Sequence, residues 1–332
     1  MFVLLFGILT VTACSRSSED EVVVYTALDR EFSEPIFEEF TQATGIQVRA
    51  KYDSEANKTV GLVNLIINER QRPRCDLFWN NEIINTLRLD QKGLLQSYRS
   101  DKASSYPAAY RSADGRWYGF AARARILLVN RQLLPTDEWP TSIEDLTDPK
   151  WQGKVGIAKP LFGTTAAHAA CLYAHQGKEK TLDFFQRLAK NARIYAGNRQ
   201  VAQAVAAGQI LFGLTDTDDA MIEIESGMPV DIIYPDQIGN QPGTLYIPNT
   251  LGIIQGCRNP ESAQKLIDFL LSEETESRLA HGRSAQIPLN PVLSHAARVA
   301  TPEQKRAMAV DFTEAARVWD HSARDLRELF SQ

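Results

Sequence analysis

Between residues 22 and 93, β-branched runs alternate with amphipathic helical stretches, and this alternation restricts the fold more than any other feature of the chain. Val22-Val23-Val24-Tyr25 reads as a strand. Ser33 offers an N-cap, with Pro35 in the first turn of a helix whose Ile36, Phe37 and Phe40 share one face. Gly45 ends that helix. Ile46 to Tyr52 is a second strand, 56–70 a helix, Cys75 to Trp79 a third strand, and Ile83 to Lys92 a helix closed by Gly93. A β-α-β-α-β-α order implies parallel strands joined by right-handed crossovers.

The rhythm is lost over 96–122, which is polar and rich in Tyr, Ser and Ala, and resumes with the apolar strand Ile126 to Val129. Pro135 and Pro140 mark a connector, and Val155 to Ala158 is another strand. Helices at about 164–176, 178–190 and 199–207 then interleave with strands at 193–195, 210–214 and 231–234. Ile247 to Gln255 is strand-like, and the tail from Thr301 to Phe330 is expected to be helical. The pattern predicts two α/β halves of Rossmann-like type, with the chain switching between them around 96–126 and again near 247–252.

A length of 332 residues suits two compact units. At 44% hydrophobic and 23% charged, the chain is neither disordered nor an integral membrane bundle. Thirty-six basic against forty-one acidic residues leave a net −5, which excludes a basic nucleic-acid surface. Met1 to Ala13 is uncharged and too short to span a bilayer, so it reads as the apolar core of a secretion signal. Val11-Thr12-Ala13-Cys14 resembles the bacterial lipobox, in which the Cys is lipidated, and Ser15 to Asp20 would be a polar tether. Export with a lipid anchor on Cys14 is the expectation. Cys75, Cys171 and Cys257 remain, an odd number, so at most one disulfide can form.

In open α/β sheets, ligands sit beyond the carboxyl ends of the strands, in the loops that lead into helices. That rule nominates the loops at 26–30, 80–82, 159–165, 196–199 and 215–219. They carry Asp29; Asn80, Asn81 and Glu82; Gly163, Thr164 and Thr165; Asn198 and Arg199; and Asp216, Asp218 and Asp219. Gly163-Thr164-Thr165 opens an alanine-rich helix, where free N–H groups and the positive dipole end suit an anion, although simple capping by Thr164 explains the same letters. Arg123 and Arg125 alternate ahead of the 126–129 strand and point to one side if extended, as a pair of forks for an oxyanion or as solvated surface arginines.

Asp216-Thr217-Asp218-Asp219 follows a strand; it fits a hard cation, a DxD metal site, or an ordinary acidic helix start. His168, Cys171 and His175 lie along one helix face, which would suit a soft metal, but a packed helix face is the plainer reading. No GxSxG elbow, HExxH, CxxC or post-strand GxGxxG occurs, so nothing points to catalysis.

Taken together, VVVYTALDREFSEPIFEEFTQATGIQV, CDLFWNN, WYGFAARARILLVN, GKVGIAKPLFGTT, NRQVAQAVAAGQILFGL and SAQIPLNP resemble the iron-binding class of bacterial ABC-importer solute-binding proteins. The resemblance covers about 21–290. It implies the type II periplasmic-binding-protein fold, two Rossmann-like lobes hinged by crossover strands. The lobes would comprise 21–122 with 251–292, and 123–250 with 293–332, after a leader and tether at 1–20. It also implies a monomeric receptor, not an enzyme, that hands a small ligand to an inner-membrane ABC permease, with no nucleic-acid partner and no catalytic cofactor.

By the resemblance, the family's histidine position in the first loop falls at Asp29, and its glutamate after the third strand near Asn81 and Glu82. The paired iron-binding tyrosines fall at Asp218 and Asp219, and a further tyrosine position at Val129. The anion-holding loop matches Gly163, Thr164 and Thr165, an Asn contact matches Asn198, and a carbonate-binding arginine matches Arg123 or Arg125. Every phenolate is therefore replaced, at Asp218 and Asp219 by a carboxylate. Asp29, Glu82, Asp218 and Asp219 would hold iron(III), or manganese, magnesium or calcium, with carbonate or phosphate alongside. The alternatives are a receptor for an oxyanion such as phosphate, phosphonate or a carboxylate and, more distantly, an exported DxD metal-dependent enzyme.

Overall fold

A computed structural model describes residues 21–53 and 59–330; the leader, Cys14 and the tether lie outside the described residues. The first half follows the alternation read above: β1 (Glu21–Thr26), α1 (Arg30–Thr44), β2 (Gln47–Tyr52), α2 (Val60–Asn68), β3 (Leu77–Asn80) and α3 (Ile83–Gln91). Strands β2 and β3 flank β1, both parallel to it. Gly45 closes α1 at φ 77°, a left-handed conformation that glycine adopts without strain. The start of α1 differs from expectation. It begins at Arg30, and the Ser33 hydroxyl donates back to the Asp29 carbonyl at 3.1 Å instead of capping an N–H.

After β4 (Leu95–Gln96) comes β5 (Tyr118–Asn130), three times the length expected from Ile126 to Val129. Its first part is hidden in sequence because Gly119, Ala121, Ala122, Arg123 and Ala124 lack strand propensity. β10 (Tyr246–Ile254) pairs with Tyr118–Phe120 and with Arg123 and Ala124, a bulge leaves Ala121 (φ 44°) and Ala122 without a partner on β10, and all thirteen positions of β5 are buried. The second half holds β6 (Val155–Ala158), α4 (Gly163–Gln176), α5 (Lys178–Asn191), β7 (Arg193–Tyr195), α6 (Asn198–Ala206), β8 (Phe212–Asp216), α7 (Thr217–Glu225) and β9 (Val230–Ile233). The helices α8 (Pro260–Leu270), α9 (Glu273–His281) and α10 (Phe312–Phe330) complete the chain. No helix of the described residues is long and apolar enough to cross a membrane.

The strands form one path, β2-β1-β3-β10-β5-β8-β6-β7, so a continuous sheet runs through both lobes. The early residues of β5 pair with β10 and its later ones, from Arg125, pair with β8 and β9. Likewise β10 pairs with β5 at one end and with β3 and β4 at the other. These two strands are the crossovers, and the fold is that of a type II periplasmic binding protein. Phe120, Ala122, Ala124, Ile126 and Leu128 face one core and Leu127 and Val129 the other, the alternation that a strand imposes.

The expected helical tail is helical only over α10. Residues before it serve the second lobe differently: Ala307 bridges Thr244, and the Arg306 guanidinium donates to the carbonyls of Asp236, Gly239 and Gln241. Helix α10 packs on α4 and α5 and also on α3, where Arg88 meets Asp320 at 2.8 Å and stacks over Trp319. Cys75, Cys171 and Cys257 are all free thiols.

Glu276 ties the crossover to the first lobe. Its buried carboxylate accepts from the N–H groups of Ala121, Leu289 and Asn290 at 2.8, 2.8 and 3.0 Å, and from the Tyr106 hydroxyl at 3.2 Å. Burial raises its pKa, and those bonds oppose the rise. Glu276→Ala strands three buried donors, and we expect a loss of about 3 kcal/mol or more of stability, read as a lower Tm and urea midpoint.

Candidate functional site

The five loops nominated by the strand-end rule meet in one cleft between the lobes. The first lobe contributes Asp29, ahead of α1, and Asn81, after β3. The second contributes Lys159 to Thr165 around the start of α4, Ala196 to Asn198 at the start of α6, and Asp216, Asp218 and Asp219 at the start of α7. Arg123 of β5 completes the wall. The cavity they enclose is about 30 Å³, room for an ion with one or two water-sized companions.

The acidic side is compact. One carboxylate oxygen from each of Asp216, Asp218 and Asp219 lies within 4.8 Å of the others, the only such group of potential metal ligands among the described residues. Two buried arginines stand behind it. Arg123 Nη1 lies 3.1 Å from Asp218 Oδ2, and Arg125 Nη1 lies 2.7 Å from Asp216 Oδ1. Burial alone would lower the Arg123 pKa; Asp218 first, then Asp216, Asp219 and Asp29, outweigh that and raise it. The alternation of Arg123 and Arg125 does place both on one side of β5, as expected, but neither is a surface arginine: they are 3% and 0% exposed.

Their forks also differ in availability. Arg125 is fully engaged at both terminal nitrogens, by Asp216 and Thr164 at Nη1 and by Thr165 at Nη2. It lies beneath the cleft wall and does not reach the cavity, so it is not placed to bind an anion directly. Arg123 gives Nη2 to Asn249 at 3.3 Å; the buried Nε–H of each arginine has no partner among the described residues, and only Arg123 lines the cavity.

The anion side is the start of α4. Phe162 precedes it in extended conformation and supplies no side-chain cap, and Gly163 has φ +56°, a turn that a β-carbon would strain. Thr164 does not cap the helix. Its hydroxyl donates to Asp216 Oδ2 at 2.5 Å, and it accepts from Asn198 Nδ2 at 2.7 Å. The first N–H groups of α4 therefore face the cleft uncapped, at the positive end of the helix dipole.

Other expected site residues stand elsewhere. Glu82 is fully buried and caps α3, its two oxygens accepting from the Ile84 and Asn85 N–H groups at 2.6 to 3.2 Å. Burial raises its pKa against the pull of those bonds and of Asn80. A carboxylate so enclosed cannot reach a cleft ion, which corrects the expectation that Glu82 is a ligand. Asn80 supports it, donating to Glu82 Oε1 at 2.9 Å, and likewise stands back from the cavity. Val129, at a family tyrosine position, is 0% exposed within β5 and pairs with Phe212.

Arg199 also lies outside the cavity. It bridges the lobes, with Nη2 2.6 Å from Glu31 Oε1 on α1. Asn81 keeps its place on the cleft and accepts from the Thr59 hydroxyl at 2.8 Å. His168, Cys171 and His175 form no metal cluster: His168 and Cys171 are buried in the packed face of α4, and His175 is exposed.

Lys159 and Phe162 also line the cavity, from a nominated loop. Their signal was the strand-end position alone. The ties of Asn249 to Gln286 and Arg123 had no local signal, because they join distant segments.

Comparison with known proteins supplies the family. Residues 81–317 match the family described as bacterial extracellular solute-binding protein. The chain is 28% identical over 294 residues to iron uptake protein A1 of Synechocystis, covering 84% of this chain and 80% of that one. It is 26% identical over 284 residues to a 2-aminoethylphosphonate-binding periplasmic protein, so described provisionally, of Salmonella typhimurium, covering 83% and 81%. The fold superimposes on iron-bound HitA of Pseudomonas aeruginosa with a TM-score of 0.83 at 23% identity, covering 92% of this chain and 99% of that one.

His168, one turn into α4, carries a pH consequence. Burial, and secondarily the nearby Arg125, push its pKa down to about 3. Its unfolded value is about 6.5, so the unfolded chain binds the extra proton first as pH falls. The folded state should lose stability between about pH 6.5 and 3 on this account. A His168→Gln variant should show a flatter decline of Tm over that range, and an unchanged acid limb would contradict it.

Proposed function

The chain belongs to the bacterial extracellular solute-binding proteins, and within that family we propose that it is a receptor for a hard metal ion. The family consists of exported solute receptors and not of enzymes, and membership implies a small ligand and an ABC permease as partner. The observation that carries the proposal is the Asp216, Asp218 and Asp219 cluster inside a cavity of about 30 Å³. Hard carboxylate oxygens suit iron(III), manganese, magnesium or calcium. Asp218 and Asp219 from one lobe and Asp29 from the other are the ligands in this reading; an anion such as carbonate or phosphate sits on the uncapped start of α4, beside Arg123. The names of the relatives in Synechocystis and Pseudomonas aeruginosa support iron among these ions.

Delivery follows from where the charges lie. Bringing Asp29 towards Asp218 and Asp219 adds negative charge that Arg123 and Arg125, already paired with Asp218 and Asp216, offset only in part, so a cation between the lobes favours the approach. A cation therefore binds the closed form better than the open one, and that difference in affinity drives closure. Asp218→Asn with Asp219→Asn keeps side-chain size and removes the charge. Manganese(II) or ferric citrate affinity should fall on the order of a hundredfold or more, while Tm of the ion-free protein falls only by what the lost Arg123–Asp218 pair costs, which Asp219→Asn alone avoids. Affinity that stays level or rises would reject the carboxylates as ligands.

One observation favours a second reading. The unpartnered Arg123 Nε–H and the α4 start are both donors, and they fit an oxyanion, in keeping with the phosphonate-binding relative from Salmonella typhimurium. Elemental analysis with native mass spectrometry of gently purified protein separates the two: a metal supports the first, a phosphorus-containing ligand without metal the second.

The anchor belongs to the same proposal. Lipidation at Cys14 would hold the receptor at the membrane through the short polar segment 15–20, since several acyl chains together give stable attachment. Intact mass should show acyl chains on Cys14, and Cys14→Ser should release the protein to the soluble fraction. Wild-type protein recovered wholly soluble with Cys14 unmodified would reject it.

A further inference from the structure

We infer that Arg125 is a positioning residue that locks the starts of three helices into a finished half-site on the second lobe before the first lobe closes. The inference deepens the metal-ion reading and rests on it for the identity of the ligand. The network is mostly buried, with Asn198 half-buried and Arg125 Nε the one guanidinium donor left without a partner among the described residues. Arg125 Nη1 binds Asp216 Oδ1 at 2.7 Å and Thr164 Oγ1 at 3.3 Å, and Nη2 binds Thr165 Oγ1 at 3.2 Å. Asp216 Oδ2 accepts from the Thr164 hydroxyl at 2.5 Å and from Asn198 Nδ2 at 2.9 Å. Asn198 Oδ1 accepts from the Thr165 hydroxyl at 3.0 Å, and the Asn198 carbonyl accepts from Thr215 Oγ1 at 3.0 Å.

These residues begin α4, α6 and α7, and Arg125 comes from the crossover strand itself. One guanidinium, rigid and planar, thus sets the spacing between the anion-facing start of α4 and the carboxylates of α7. A buried arginine without its carboxylate is strongly unfavourable, so the spacing is held in the ligand-free protein too. Asp216 is then the anchor of the network, and Asp218 and Asp219 are the groups turned to the ion. The first lobe, which adds only Asp29 and Asn81 to the cavity, closes over a surface already in place.

The test uses the full-length mature receptor with manganese(II) and ferric citrate as probes, and hydrogen exchange of the ligand-free protein. Arg125→Gln and Asp216→Asn should each weaken binding by at least about tenfold. The double variant should be no weaker than the worse single one, because the two residues act as a unit. Exchange should rise together in segments 163–171 and 216–224 of ligand-free Arg125→Gln, whereas Asp219→Asn should weaken binding and leave exchange at 163–171 unchanged. Thr165→Val breaks one link without unpairing the charges; it should raise exchange at the α4 start even if Arg125→Gln fails to fold. Folded variants with unchanged exchange, or losses from Arg125→Gln and Asp216→Asn that simply add, would overturn the positioning role. Wild-type protein that binds neither probe would remove the metal reading, and the exchange data would still decide the role of Arg125.

Discussion

Strand β5 belongs to both halves of the molecule, and most of what matters here depends on that. A strand buried at every position must satisfy its backbone on both edges. β8 and β9 take the two edges of its second part; along its first part β10 takes one edge, while Ile287, Glu276 and Thr217 meet Ala122, Ala121 and Ala124. The change of partners falls between Ala124 and Arg125, at the level of the cleft. Any side chain placed there sits between the lobes, and this strand places two arginines, Arg123 and Arg125, on the cleft side.

Those arginines settle how so many carboxylates can share one small space. Asp216 and Asp218 each face a guanidinium across about 3 Å in a buried setting, where charge pairs interact strongly. The two pairs differ in consequence. The Arg125 pair is shut into a hydroxyl and amide network and behaves as framework. The Arg123 pair stands on the cavity wall; each arginine keeps an unpartnered Nε–H, but only that of Arg123 belongs to a cavity-lining residue. The lobes also meet through Arg199 and Glu31, both partly exposed; such a contact adds modestly to closure and weakens with salt.

The fold was largely legible because its signals are local. Alternating strand and helix patterns marked α1 to α3 and β6 to β8 within a few residues. The strand-end rule places Asp29, Asn81, Gly163, Asn198 and Asp218 at one edge, where the cavity lies. Expectation failed where a local pattern was silent or ambiguous. The first part of β5 reads as weak strand and is extended because β10 lies beside it. Residues 301–311 read as helix and are held instead by Thr244 and the 236–241 turn. Glu82 and Asn81 are neighbours in sequence, yet one caps α3 and the other lines the cleft.

Residue type and order alone determined the two-lobed α/β architecture and the five cleft loops, since each depends on short-range periodicity. The tertiary structure alone decided which polar residues face the cavity and which hold it up. Arg125 and Asp216 are ninety-one residues apart, and no local rule links them. Only the pairing of β5 with β8 brings them together, and whether a buried charge acts as ligand or as framework depends on its partners.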